Sequence, residues 1–485
     1  TAEVRGIDKG SIYNENQGKK VKVVAGREHD GGNGRQLLMQ SSPQTTDRFY
    51  RGPRPTQTQL NLNSQLLGAS PKQIVELVDI WVDVFSPVNV VTALGGLAAH
   101  SKGRGLQGKR MAGHLADVLP ILYGHIIRYG ELYGPHELSS AAFALAKLQC
   151  SSGPVWEVLI REACLTANHF RPGEVAKLLR ATVVARVDVP NIFDMLNAVT
   201  DTMTRRAAEL HPHELADCIW AVTKLSKRSD DCIGDPVRSV YDIFTAQALE
   251  LMPRFTTFDL ATVAWSYASA KHDAPTLFAA IAAASVPLIN EFQPKGLSML
   301  LWGFASRGVH EEALFAAAGG RVAATIEEYS VQSASMVIWS YAKVGHRHPQ
   351  VVDRTLRYLA CQPEKLGRAR AQHLANLLWA AVRLHRREVP DEFLIAVKVE
   401  FTERAREFTA AELVMSIWAF AAAGLTEPRL YHAAWQEVMH RKVGSFTASQ
   451  MSALVWAFAS SRRTAPPLFS MVSRHVPQRL EELTT

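Results

Sequence analysis

Most of the signatures that mark enzymes, secreted domains and membrane proteins are missing from this sequence. Its five cysteines, Cys150, Cys164, Cys218, Cys232 and Cys361, are odd in number and contain no CxxC pair. Neither a disulfide framework nor a cysteine zinc site is therefore expected, and reduced thiols in an intracellular compartment fit better. No uninterrupted apolar run approaches the roughly 18 residues that a membrane-spanning helix needs. There is no GxSxG elbow, no HExxH and no nucleophile signature centred on cysteine, so nothing argues for catalysis. No alternating strand pattern competes over the regions from residue 71 onward. Charge of one sign is not extreme either: 53 Lys and Arg against 46 Asp and Glu give +7. That balance permits a polyanionic partner without requiring one.

Two fragments resemble ligand motifs but lack the required context. The loop SKGRGLQGKR places Gly103, Gly105, Gly108 and Lys109 as GxGxxG followed by lysine. A dinucleotide site needs a preceding strand and a later acidic residue, and a phosphate loop needs a different spacing ending in GK[ST]. A flexible basic insertion accounts for it better. Among 17 histidines, His211 with His213 and His346 with His348 have no cysteine or carboxylate partner at a recognised ligand spacing. No cofactor and no metal are expected.

What the chain has in abundance is repetition. Tryptophan followed by a small and then an apolar residue recurs at Trp220, Trp265, Trp302, Trp339, Trp379, Trp418 and Trp456, in steps of 45, 37, 37, 40, 39 and 38 residues. Upstream the tryptophan is replaced while the frame persists, at Arg180, Phe143 and, most weakly, Leu94. Ten residues before this index position stands an apolar residue, usually aromatic: Tyr133, Phe170, Leu210, Phe255, Phe292, Tyr329, Phe408 or Phe446, with Ala369 the exception. Helix-start chemistry follows it. Thr256, Ser330, Thr409 and Thr447 are capping types, Pro135, Pro172, Pro212 and Pro294 suit the first helical turn, and Glu137, Glu174, Glu214, Asp259, Glu412 and Gln450 supply the return arm of a capping box.

The residue after the index is always small, from Ala144 to Ala457, which lets a neighbouring helix approach while the tryptophan packs beside it. A second amphipathic helix completes each unit. The expectation is an all-α fold, an α-solenoid of about ten helical-hairpin repeats of 37–40 residues spanning 71–485.

Residues 1–70 are different material, polar and rich in Gly and Pro, with too little apolar surface to offset ordering entropy. They form an extended N-terminal tail carrying Lys19, Lys20, Lys22, Arg51 and Arg54, of the kind that becomes ordered against RNA or within a large assembly. The loop adds Arg104, Lys109 and Arg110. The start at Thr1, with no signal-peptide core and no Arg-rich amphipathic segment, fits a mature form from which a transit peptide has been removed.

Positive charge recurs just past each first helix: Lys224, Lys227 and Arg228; Lys271; Arg307; Lys343 and Arg347; Arg383, Arg386 and Arg387; Arg462 and Arg463. Equivalent positions stack along one edge of a solenoid, so these turns predict a basic ridge that suits a phosphate backbone. Cations at a helix C-terminus also complement its dipole, at about 0.3–1 kcal/mol each, but clusters as dense as that around His385 exceed what a dipole asks for.

The frame Phe-Thr-x-x-Glu-Leu-x-x-x-x-Trp-Ala-Phe-Ala-x-x-Gly, as at Phe408 to Gly424, resembles the octotricopeptide and heptatricopeptide class of organellar helical-repeat proteins. It is also similar to the helical region of RAP-domain proteins, over about 133–475. The resemblance implies RNA binding in a mitochondrion, with a plastid as the alternative. Two departures matter: no PPPEWL-like signature is evident, and the C-terminal MVSRHVPQRLEELTT leaves no room for a RAP domain. Both favour a structural role over sequence-specific processing. The leading expectation is a non-catalytic subunit of an organellar ribosome contacting rRNA and ribonucleoprotein neighbours, with no membrane and no small-molecule substrate. The alternatives are a soluble RNA maturation, stability or translation factor and a protein–protein scaffold.

Overall fold

The structure, a computed structural model, describes residues 52–101, 106–188, 191–227, 235–385, 388–463, 466–475 and 477; of residues 106–112, 114, 235–239 and 443 it describes the backbone alone. The capping frame operates as local chemistry dictates. Thr256 Oγ1 accepts the Asp259 N–H at 3.3 Å while the Thr256 N–H donates to the Asp259 carboxylate at 3.0 Å. Thr409 with Glu412 and Thr447 with Gln450 repeat the box. Glu174 and Glu214 accept the N–H of Arg171 and His211 at 2.9 and 3.0 Å. Pro135, Pro172, Pro212 and Pro294 each open a helix. Ser330 caps the Ser333 N–H but receives no return bond to its own N–H, because a serine stands where the acid or amide would be.

These signals produce α1 (Gln57–Leu66) and α2 (Pro71–Trp81), α3 (Pro87–His100) and α4 (Leu106–Tyr129), α5 (Pro135–Lys147) and α6 (Gly153–Leu165). There follow α7 (Pro172–Val184) and α8 (Ile192–Arg205), α9 (Pro212–Ser226) and α10 (Asp235–Leu251), α11 (Thr257–Ala270) and α12 (Pro275–Ser285). Next come α13 (Pro294–Ser306) and α14 (Glu312–Thr325), then α15 (Val331–Val344) and α16 (Pro349–Ala360) with the short α17 (Pro363–Gly367). The series ends with α18 (Ala371–His385) and α19 (Asp391–Arg404), α20 (Ala410–Ala422) and α21 (Pro428–His440), α22 (Ala448–Ser460) and α23 (Pro466–His475). No strand occurs among the described residues.

The first helix of each hairpin packs against the first helix of the next, from α1 on α3 to α20 on α22, and second helices pack on second helices from α2 on α4 to α19 on α21. Contacts between neighbours in sequence, repeated along the chain, make this an α-solenoid of two layers. The small residue after the index enables the close approach. Ala144, Ala181, Ala221, Ser266, Ser340, Ala380, Ala419 and Ala457 are all buried. At Gly303 a Cβ would lie 2.9 Å from the backbone carbon and oxygen of Ala264, and backbone cannot move aside as a side chain can.

One residue further on, the side chain turns to the second layer. Edge-to-face pairs recur there: Tyr241–Tyr267, Phe278–Phe304, Phe315–Tyr341, Phe401–Phe420 and Tyr431–Phe458, with ring centroids 5.0–5.5 Å apart. The aromatic core between layers is thus built at one repeating position.

Three expectations change. Helical material begins before residue 71: α1 carries a Thr56–Gln59 capping box and buries Leu62 and Leu66 against α3, so its polar composition concealed a short helix whose few apolar residues suffice once a neighbour covers them. In α3 the index position is Gly95, not Leu94, because Phe85, Ser86, Pro87 and Asn89 set the register one residue later and Leu94 faces the core. Residues 106–110, read as part of a loop, form the first turn of α4. The remaining expectations for the N-terminal tail, Lys19, Lys20, Lys22 and Arg51, lie outside the described residues.

Candidate nucleic-acid interface

An index residue lies two positions, or about 200° of helix rotation, before the residue that meets the second layer. It therefore faces away from that layer. Trp220, Trp265, Trp302, Trp339, Trp379 and Trp418 are half-buried, and Trp456 is 45 % exposed. Consecutive rings lean on one another, with centroids 6.2 Å apart for Trp265–Trp302 and 6.1 Å for Trp418–Trp456. The packing expected of them is present, and each side chain remains partly accessible.

Cations alternate with these rings. Lys147 lies 4.4 Å and Lys177 5.5 Å from the Phe143 ring centre. Arg180 sits over Trp220 at 5.7 Å, Lys224 and Lys227 over Trp265 at 4.4 and 5.8 Å, and Arg383 over Trp379 at 5.3 Å. Each contact contributes about 0.5–1 kcal/mol at such sites. Lys177 also donates to the Ser140 hydroxyl at 2.8 Å, Arg180 is ion-paired with Asp217 and Arg383 is held by a backbone carbonyl, so Lys147, Lys224 and Lys227 carry the outward charge. Burial, and then mutual repulsion, holds Lys224 and Lys227 below the ordinary lysine range: Lys227 crowds Lys224, and Lys271 crowds Lys227. A bound anion would relieve that crowding.

The expected ridge divides into two sets. Lys227, Lys271, Arg347 and Arg462 are exposed at the turns after their helices. Lys343, expected just past its helix, is instead exposed within the last turn of α15, as Lys224 and Arg383 lie within the last turns of α9 and α18. Others are already engaged within the fold. Arg307 is ion-paired with Asp273, Arg463 donates to the Thr426 carbonyl, and Arg383 donates to the Ala342 carbonyl at 3.0 Å. These bonds tie one repeat's turn to its neighbour's. Arg54 is exposed ahead of α1. Arg104, Arg228, Arg386 and Arg387 lie outside the described residues, as do the side chains of Lys109 and Arg110.

Helix ends carry a feature the sequence alone did not reveal. The residue six after the index takes a left-handed conformation in most units, and the next N–H reaches back to close the helix, as from His272 to Tyr267 O at 3.1 Å. Gly308, Gly345 and Gly424 occupy this position without cost, whereas Gln149, Arg186, Lys271 and Arg462 hold it with φ between 54° and 59°. Arg186, Lys147, Lys177 and Arg180 were missed as candidates. For Lys147 the available signal was its column, four after the index, shared with Lys224, Lys343 and Arg383.

One acidic group on this face, Asp217, has cationic partners. Asp217 is buried beside Arg180 and His213; burial pushes its carboxyl up, with those two cations opposing. A cavity of about 290 Å³ opens between Arg180, Trp220, Phe258, Thr262, Lys295 and Met299, half-way along this row. Among the described residues, no helix is long and apolar enough to cross a membrane. No protein-family model matches the chain, and no curated protein matches it.

Proposed function

We propose that the chain is a non-catalytic RNA-binding helical-repeat protein, a structural subunit of an organellar, mitochondrial ribosome that contacts rRNA and neighbouring proteins. The observation that carries the RNA reading is the row of partly accessible aromatic rings interleaved with Lys147, Lys224 and Lys227 along successive first helices, continued by Lys177, Arg180 and Arg383, which are also bonded within the fold. Such a row offers stacking to bases and charge to phosphates at intervals set by helix packing. The exposed Lys271, Arg347 and Arg462 extend it to the turn edge. The ribosomal and mitochondrial part of the reading rests on the resemblance of the repeat frame.

The partly accessible tryptophans specifically favour a second reading, a soluble factor that engages single-stranded transcripts, because duplex bases are not available for stacking. The full chain is to be titrated with structured and single-stranded RNA across a salt series. Tight binding whose logarithm falls linearly with log salt, weakened by the reversals K224E and K227E, supports the interface. A larger loss with W265A and W302A for the single strand than for the duplex selects the second reading. Salt-insensitive or absent binding by folded protein sinks both and leaves a protein–protein scaffold.

A further inference from the structure

Successive turns bring together three side chains that the RNA reading does not use. His310 lies in the turn between α13 and α14, Glu312 opens α14, and His346 lies in the next turn, between α15 and α16. His310 Nε2 and His346 Nδ1 stand 2.9 Å apart, and Glu312 Oε2 lies 3.4 Å from the first and 3.3 Å from the second. The three atoms form a nearly equilateral triangle. Zinc bonded to nitrogen and oxygen at about 2.0–2.1 Å in a tetrahedron separates its ligand atoms by about 3.3 Å. The triangle is one face of that tetrahedron to within a few tenths of an ångström.

We propose that His310, Glu312 and His346 form a binding site for a zinc-class transition-metal dication. Two imidazoles and one carboxylate suit zinc and its neighbours, whereas magnesium and calcium prefer oxygen donors throughout. The two imidazoles are held in place before any ion arrives. The His346 ring is buried and packs against Phe315 and Tyr341, at centroid distances of 5.7 and 5.5 Å, and His310 meets Phe315 edge-on at 5.5 Å. Both aromatic partners are fully buried, so the two imidazoles stand on a rigid wall. Glu312 is 75 % exposed, which leaves the fourth position toward solvent for water or another ligand.

Local backbone explains why this pair of turns differs from the others. Gly308 and Gly345 take the left-handed cap at φ 68° and 75°, and each next N–H closes its helix at 3.0 Å, on Phe304 and Tyr341 respectively. His346 follows its glycine directly while His310 is one residue further from its own, and that offset makes the two rings converge across the repeat boundary. At the matching turn His272 instead stacks on Tyr241 and pairs with Asp242. An ion here would cross-link two consecutive hairpins and place a dication on the turn edge that carries Arg347.

The test uses full-length protein freed of metal by a chelator, titrated with Zn2+ by calorimetry and with Co2+ by visible absorption. One ion bound through these groups, with the absorption of tetrahedral Co2+, is the expected result. His310 and Glu312 are exposed enough to change without unfolding, which circular dichroism checks. The double variant H310N/E312Q should weaken binding about tenfold or more. A smaller loss, or no ion bound by the folded wild type, overturns the proposal. H346N, compared with H272N as a control for a similar turn histidine, separates this site from ions held elsewhere on the chain.

Discussion

Lys271 and Arg462 show at single-residue scale how stability and interaction separate. Each occupies a left-handed helix cap that glycine fills in sister repeats, and an L residue there costs about 1 kcal/mol or somewhat more. K271G should therefore raise stability by about 1 kcal/mol in denaturant melts. The same variant should bind RNA more weakly, with a shallower salt slope. A neutral or destabilising result would remove the argument that charge is kept at this position despite the backbone. His125 supplies a second prediction. Its Nε2 and Nδ1 lie 3.1 Å from the Phe85 carbonyl and 3.0 Å from the Tyr133 hydroxyl. Burial lowers its pKa below the usual imidazole value. The folded state binds the proton less readily than the unfolded chain, so this stability is present above the unfolded pKa of about 6.5 and is lost as pH falls below it. His213 acts with the opposite sign, its pKa raised by the hydrogen bond to Asp259, but its side chain is 62 % exposed and solvent screens it. Burial lowers the pKa of His346 and His373 as well, with the same sign as His125, so urea midpoints should drop from pH 7.5 to 5.5, and H125Q should reduce that change.

Helices are joined by a recurring device at the ends of second helices. Arg206 donates to the Phe170 carbonyl at 2.8 Å, Arg404 to the Ala369 carbonyl at 2.7 Å, and Arg441 to the Phe408 carbonyl at 2.6 Å. Each arginine, reaching back 33 to 36 residues, ties the end of a second helix to the residue that precedes the first helix of the same hairpin. Ala369, the exception to the series of large apolar residues, keeps this bond, so the device does not depend on a large side chain at that position. Arg404 is further held by Glu400 and Glu407 at 3.0 and 2.8 Å. Removing a charged donor from partly buried acceptors costs about 1.5–3 kcal/mol. R404M should lower the unfolding midpoint accordingly, and hydrogen exchange should rise first in α18 to α20. Uniform loss of protection along the chain would contradict a local latch.

Across the whole molecule, charge is spread over successive hairpins, so binding should erode by increments. Each lost phosphate contact should reduce the salt slope on single-stranded RNA by about 0.7. Combined reversals at Lys147, Lys224 and Lys343 should add their effects, since these residues belong to separate repeats beyond direct contact. A single reversal that abolished all binding would point instead to one compact site. Stability should likewise distribute along the array, because each hairpin's main contacts are with its immediate neighbours.

The helical hairpin, its start signals and its small-residue seam were all determined by the sequence, because capping, proline placement and close packing depend on residues within one repeat. The order of elements was readable for the same reason. The hidden helix α1 and the register of α3 were not, since their few apolar positions gain meaning only against a neighbouring helix. Nor could sequence distinguish ridge cations engaged within the fold, such as Arg307 and Arg463, from those turned outward, such as Lys271 and Arg347. The approach of His310 and His346 was likewise decided by tertiary structure alone. Thirty-six residues apart and unrelated by any short motif, they meet because two glycine caps and the stacking of two repeats aim their rings at one point.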